Sequence, residues 1–97
     1  MGENKVAAGL IGFDNSIPKA RPGIYGATDA NDIQKSGFYK LGWDKNTGCL
    51  NFPNNDYLYG AMLVFGAENT TVQIIITTGD AAYIRIRYGG WYRWINI

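Results

Sequence analysis

Thr-Val-Gln-Ile-Ile-Ile-Thr-Thr (71–78), Gly-Asp-Ala (79–81), Ala-Tyr-Ile-Arg-Ile-Arg-Tyr (82–88), Gly-Gly (89–90) and Trp-Tyr-Arg-Trp-Ile-Asn-Ile (91–97) follow one another without interruption. Three runs rich in β-branched and aromatic residues, split by two glycine-bearing turns, predict an antiparallel meander. Gly89-Gly90 supplies the positive φ that a two-residue hairpin turn demands. That turn sets Tyr88 opposite Trp91, Arg85 opposite Trp94 and Ile84 opposite Ile95. At the first turn, a two-residue Gly79-Asp80 loop mixes apolar and polar positions on one face. A three-residue 79–81 loop instead sets Ile76 against Ile84 and Ile74 against Ile86. A one-residue slip would move a whole side-chain set across the sheet, so the three-residue loop is preferred.

This register separates two faces. Val72, Ile74, Ile76, Ile84, Ile86, Tyr88, Ile95 and Ile97 form the expected core face, with Leu63 and Phe65 packing on it and Trp91 facing the same way. Gln73, Ile75, Thr77, Tyr83, Arg85, Arg87, Tyr92, Trp94 and Asn96 form an aromatic and cationic outer face.

The rest of the chain reads as short elements between turns. Its 97 residues allow one small domain, and 46% hydrophobic content excludes general disorder. Residues 1–28 are punctuated by Gly9, Gly12, Pro18, Pro22, Gly23 and Gly26, and read as an extended arm or stalk remnant, with a short strand around Ile24 and Tyr25. Residues 29–97 read as one β domain. Asp29 is placed to cap a helical turn over 29–37, with Asp32 near its positive end, Gly37 as its stop and Ile33 as its plug into the core. Strands follow at 38–41 and 49–52, the second stopped by Pro53. Residues 57–66 suit a strand buried on both faces, with Gly60 at a bulge or close approach. The predicted class is therefore all-β: a small antiparallel sandwich or knob of about six short strands, with one helical turn.

Composition also limits the chemistry. A formal charge of +1 gives no nucleic-acid footprint. With no histidine and one cysteine, Cys49, the chain lacks the usual general base, a partner for a thiol nucleophile and any Cys/His metal set. Cys49 reads as a small buried hydrophobe. Asp44, Asp56 and Asp80 sit in turns, where Asp caps backbone, and no spacing selects a catalytic pair among them. No stretch approaches the ~20 apolar residues that span a bilayer. The start resembles a myristoylation site but carries Val6 where Ser or Thr is needed, so a soluble, unprocessed chain is expected. No enzyme activity, cofactor, metal, nucleic acid or membrane insertion is predicted.

Recognition remains. Aromatic rings cover the CH faces of sugars, and arginine offers a fork to carboxylate or phosphate. Tyr83, Arg85, Arg87, Tyr92 and Trp94 are the candidate binding group on the meander. The same face also suits a subunit interface or plain surface, since Arg85 over Trp94 is an ordinary cation–π pair. Trp43 and the loop residues Asn55, Asp56 and Tyr57 are further candidates, because each loop sets an aromatic ring beside polar groups.

The order of elements resembles the knob domain in the fibres of phage tails and R-type pyocins, over roughly residues 29–95. The resemblance lies in a capped Asp-x-Asn-Asp-Ile turn before Gly-Phe-Tyr-x-Leu, then a long hydrophobic strand ending in glycine. Val-Gln-Ile-Ile-Ile-Thr-Thr, Tyr-Ile-Arg-Ile-Arg-Tyr and Gly-Gly-Trp-x-x-Trp-Ile complete it. Tyr92 departs from the small residue usual after the first Trp, and the chain is much shorter than a whole fibre. The resemblance implies a β-rich knob, commonly a homotrimer, located on a virion or particle and attaching without catalysis to bacterial surface polysaccharide. A structural virion decoration or cement protein, and a free lectin-like module, are the alternatives.

Overall fold

The computed structural model describes residues 19–45 and 47–97. It is all-β apart from one 3-10 turn at Ala30–Asp32. Five strands, β1 (Gly37–Trp43), β2 (Leu58–Ala67), β3 (Thr70–Thr77), β4 (Ala82–Tyr88) and β5 (Ile95–Asn96), form one antiparallel sheet in sequence order. The second layer is irregular: residues 19–36 and 47–57 fold over one side of the sheet. Within it, the strands expected around Ile24 and at 49–52 are single parallel bridges, Ile24 to Leu41 and Leu50 to Asp29. Of the expected N-terminal arm, residues 1–18, with Val6, Leu10, Ile11, Phe13 and Ile17, lie outside the described residues, as does Asn46. Residues 19–24 run beside β1, tied by Arg21 N to Phe38 O and Ile24 N to Lys40 O.

Asp29 caps the 3-10 turn as its sequence position predicts, its Oδ1 accepting from Asn31 N at 2.8 Å. Ile33 plugs the core at 7% exposure. Gly37 does not stop a helix; it opens β1 instead. Gly60 marks a close approach rather than a bulge, since a Cβ there would collide with Ile76 O and the β1–β2 register runs through it unbroken.

The meander forms, and the β3–β4 hairpin keeps the predicted parity. Ile84 faces Ile95 as expected, but Trp91 bridges Arg87 rather than the expected Tyr88, a one-residue shift beside the Gly89-Gly90 turn. At the β3–β4 turn the pairing is two residues away from expectation: Ile74 meets Ile84, Val72 meets Ile86 and Ile76 meets Ala82. The loop is Thr78-Gly79-Asp80, closed by Thr77 N to Ala81 O at 2.9 Å, with Asp80 taking the left-handed φ of 66°. Thr77 Oγ1 fixes that choice by accepting from Gly79 N and Ala81 N.

The assignment of faces is inverted. Met62, Val64, Gln73, Ile75 and Arg85 point into the core, with Leu41, Trp43, Cys49 and Phe52 around them. Tyr83 and Trp94 pack against this core. Ile76, Ile86, Tyr88, Ile95, Ile97 and Phe65, expected inside, are exposed, and Val72, Ile74, Ile84 and Leu63 are half-buried. The reason is hydrogen bonding. Folding the layer of residues 19–36 and 47–57 onto the sheet buries backbone carbonyls, which need donors from the sheet. Gln73 supplies two, through Nε2 to Ala30 O and Ile33 O, each at 2.8 Å. The isoleucine face carries no such donors and stays open among the described residues. β2 is accordingly buried on one face rather than two.

Candidate binding cleft

The inner face places Arg85 on β4 opposite Gln73 on β3. Arg85 Nε donates to Gln73 Oε1 at 2.8 Å, so one glutamine ties the covering layer to the arginine. The guanidinium lies over two indoles, 3.9 Å from the Trp91 ring centre and 4.5 Å from that of Trp94. Two ring faces therefore meet the cation, a favourable arrangement. Trp91 thus lies on the Arg85 side of the sheet, not on the isoleucine side. After Gly89 (φ 78°) β4 makes only one bridge, Arg87 to Trp91, before β5 begins at Ile95, so 91–94 can fold over the arginine.

Arg85 is only 6% exposed, and its Nη2 has no hydrogen-bond partner. Burial lowers its pKa to about 10, against the raising influence of Asp29. Asp29 is held below its usual carboxylate range chiefly by Asn51 Nδ2, then by Asn31 N, with help from the charge of Arg85. Asn51, at a positive φ of 61°, also accepts from Trp94 Nε1 at 2.8 Å through its carbonyl. One asparagine therefore fixes both the acidic cap and the tryptophan.

Arg85, Trp91, Trp94 and Asn51 border a cleft of about 480 Å³, also lined by Asn31, Asn55, Tyr92 and Arg93. Of the sequence candidates, Arg85, Tyr92, Trp94 and Asn55 meet here. Tyr57 and Tyr83 line a separate recess of about 160 Å³ beside the Thr78–Ala81 turn. Arg87 reaches away to Asn69 O at 3.3 Å, and Asp56 is exposed, its backbone N held by Asn54 Oδ1.

Trp43 is a core residue rather than a binding one. It is 3% exposed, packs edge-on against Phe52 and donates Nε1 to Asn55 O at 2.9 Å. Trp43→Phe keeps most of that packing and loses the hydrogen bond. A cost of about 1–2 kcal/mol in denaturant melting is expected. Sequence reasoning did not select Asn31, Asn51, Trp91 or Arg93. An asparagine that tolerates left-handed backbone was the available signal for Asn51; the others come together only through the fold.

Neither a protein family nor a curated protein matches the sequence. Among solved structures, the chain is similar to a fragment of the P. aeruginosa R1 pyocin fibre comprising its C-terminal residues 323–701. The TM-score is 0.71 at 23% identity, over 88% of this chain and 23% of that one. The likeness establishes a shared fold with part of a fibre. The chain spans under a quarter of the length of that fragment. Among the described residues no helix is long and apolar enough to cross a membrane.

Proposed function

We propose that this chain is a tail-fibre-like attachment domain of a phage or phage-like particle. It works as a homotrimer and binds bacterial surface polysaccharide in the Arg85 cleft, without turning it over. The observation that carries this reading is a buried arginine beside the rings of Trp91 and Trp94, which lines a polar cleft and keeps its Nη2 unpartnered. Arginine, asparagine amides and aromatic rings together suit the hydroxyls and CH faces of a sugar. The pyocin fibre likeness supplies the architectural context. The exposed isoleucine face gives three copies a surface to share.

The test is binding of the whole chain to purified surface polysaccharides and to intact cells. Tyr92 is well placed for a probe, because its side chain is 59% exposed at the cleft. Tyr92→Ala should weaken binding about fivefold to tenfold, the scale of one aromatic contact. The polysaccharide should keep its chain length after prolonged incubation; shortened product would show catalysis. A structural decoration role is the second reading, favoured by the same open apolar face. It predicts no glycan binding by the whole chain.

A further inference from the structure

We propose that the cleft selects an anionic sugar unit: as Arg85 and Asn31 turn toward it, its carboxylate or phosphate oxygen accepts from Arg85 Nη2 and a neighbouring hydroxyl donates to Asn31 Oδ1, two atoms with almost no accessible surface in the chain by itself. The inference rests on the attachment reading above and specifies the ligand class of that same cleft.

Two unmet groups carry it. Arg85 Nη2 is a buried donor and Asn31 Oδ1 a buried acceptor, and neither has a partner. Both residues line one cleft. Leaving such atoms unpaired costs about 1–3 kcal/mol each, more for a charged group. A cation out of water needs an anion beside it. Among the described residues no carboxylate forms an ion pair with Arg85, and none lines the cleft. Asp29 acts on Arg85 only through its charge, its Oδ1 being taken by Asn31 N and Asn51 Nδ2. Arg93 adds a second positive charge at the rim.

A fully deprotonated anion such as acetate answers only half of this. Its oxygens satisfy Arg85 but offer no proton to Asn31 Oδ1. A uronic acid or sugar phosphate brings acceptor and donor on one ring. Its ring also has apolar edges for Tyr92, Trp91 and Trp94. A volume of about 480 Å³ lies within the range of small-molecule clefts and leaves room for a pyranose with its substituent.

The experiment titrates the whole chain, watched by the indole and arginine Nε proton signals in NMR. The probes are glucuronate, galacturonate and glucose 6-phosphate, each against its neutral parent, with acetate as the plain anion. At least one acidic sugar should bind about tenfold tighter than its parent and than acetate, shifting the Trp91 and Trp94 indole signals. The uronate and phosphate arms identify which anion is taken. Arg85→Lys keeps the charge but loses the fork, and should abolish the preference. Asn31→Asp places a carboxylate at the cleft without touching the arginine, and should abolish acidic-sugar binding even if Arg85→Lys fails to fold. Equal binding of acidic and neutral sugars overturns the anion assignment while leaving glycan attachment standing. Acetate binding as tightly as the acidic sugars overturns the hydroxyl contact to Asn31. If no probe binds in preference to another but cells are bound through Tyr92, the inference fails and attachment survives. Loss of nothing on Tyr92→Ala, with cells still bound, removes the cleft from both.

Discussion

Ile84→Glu should break up the proposed three-chain assembly and leave monomers of 10.7 kDa. Ile84 belongs to an apolar row crossing the whole sheet: Phe38 pairs with Leu63, Leu63 with Ile74, Ile74 with Ile84 and Ile84 with Ile95. Phe65, Val72 and Ile86 form a parallel row beside it. Phe65 is 49%, Ile76 57% and Ile95 56% exposed, so the described residues leave this face largely in water. Monomers seldom expose an apolar patch of such extent. A closed threefold ring would cover it in every copy at once, with no leftover sticky face. A carboxylate on that face meets no partner there, and burying it unpaired is strongly unfavourable. The lone chain tolerates the change because Ile84 is only half-buried within it. Light scattering coupled to size exclusion reads the result, with circular dichroism verifying that the variant stays folded. Unsubstituted chain running as a monomer at micromolar concentration and above would sink the proposal; a dimer would sink the threefold symmetry alone.

This places the shared surface on the opposite side of the sheet from the one the sequence suggests. Alternation and glycine turns made the meander and the parity of its β3–β4 hairpin legible. They do not say which face turns inward. Ranking faces by hydrophobicity assumes that a chain covers its most apolar side by itself. Here the covering layer, residues 19–36 and 47–57, packs on the other side, where Ile75 is completely buried and Gln73 answers carbonyls some forty residues away in sequence. Ile75 therefore offers nothing to a neighbouring subunit, and Arg85 needs no partner across an interface to leave water. The candidate site was legible to the extent that Arg85, Tyr92 and Trp94 belong together. What could not be read was the wall opposite them. Asn31 and Asn51 look like ordinary turn formers until Asp29 and Trp94 are seen bound to the same asparagine.

Gln73 is the residue on which the stability of that arrangement turns, and Gln73→Leu should cost about 3–5 kcal/mol. The side chain is completely buried. Its amide nitrogen holds Ala30 O and Ile33 O at the two ends of the 3-10 turn, while its oxygen accepts from Arg85 Nε at 2.8 Å. Leucine is close in volume, so packing alone predicts little change. The loss is in polar groups: the Ile33 carbonyl and one guanidinium N–H lose the partner that Gln73 gives them, and Ala30 O keeps only its bond from Ile33 N, in a water-poor interior. A domain of this size has roughly 5–15 kcal/mol of stability in all, so the variant would lose a large part of it. Gln73→Glu does not rescue the site. It offers Arg85 a counter-charge but removes both donors and turns a carboxylate oxygen toward two carbonyls. Denaturant melting in the Ile84→Glu background separates this effect from assembly, because self-association there no longer adds to the measured stability. The Arg85 Nε proton signal should move or broaden in both variants as its acceptor changes. A cost below about 1 kcal/mol for Gln73→Leu would mean that the layer of residues 19–36 and 47–57 is held down by apolar contact alone. The inverted burial of the sheet would then need a different cause.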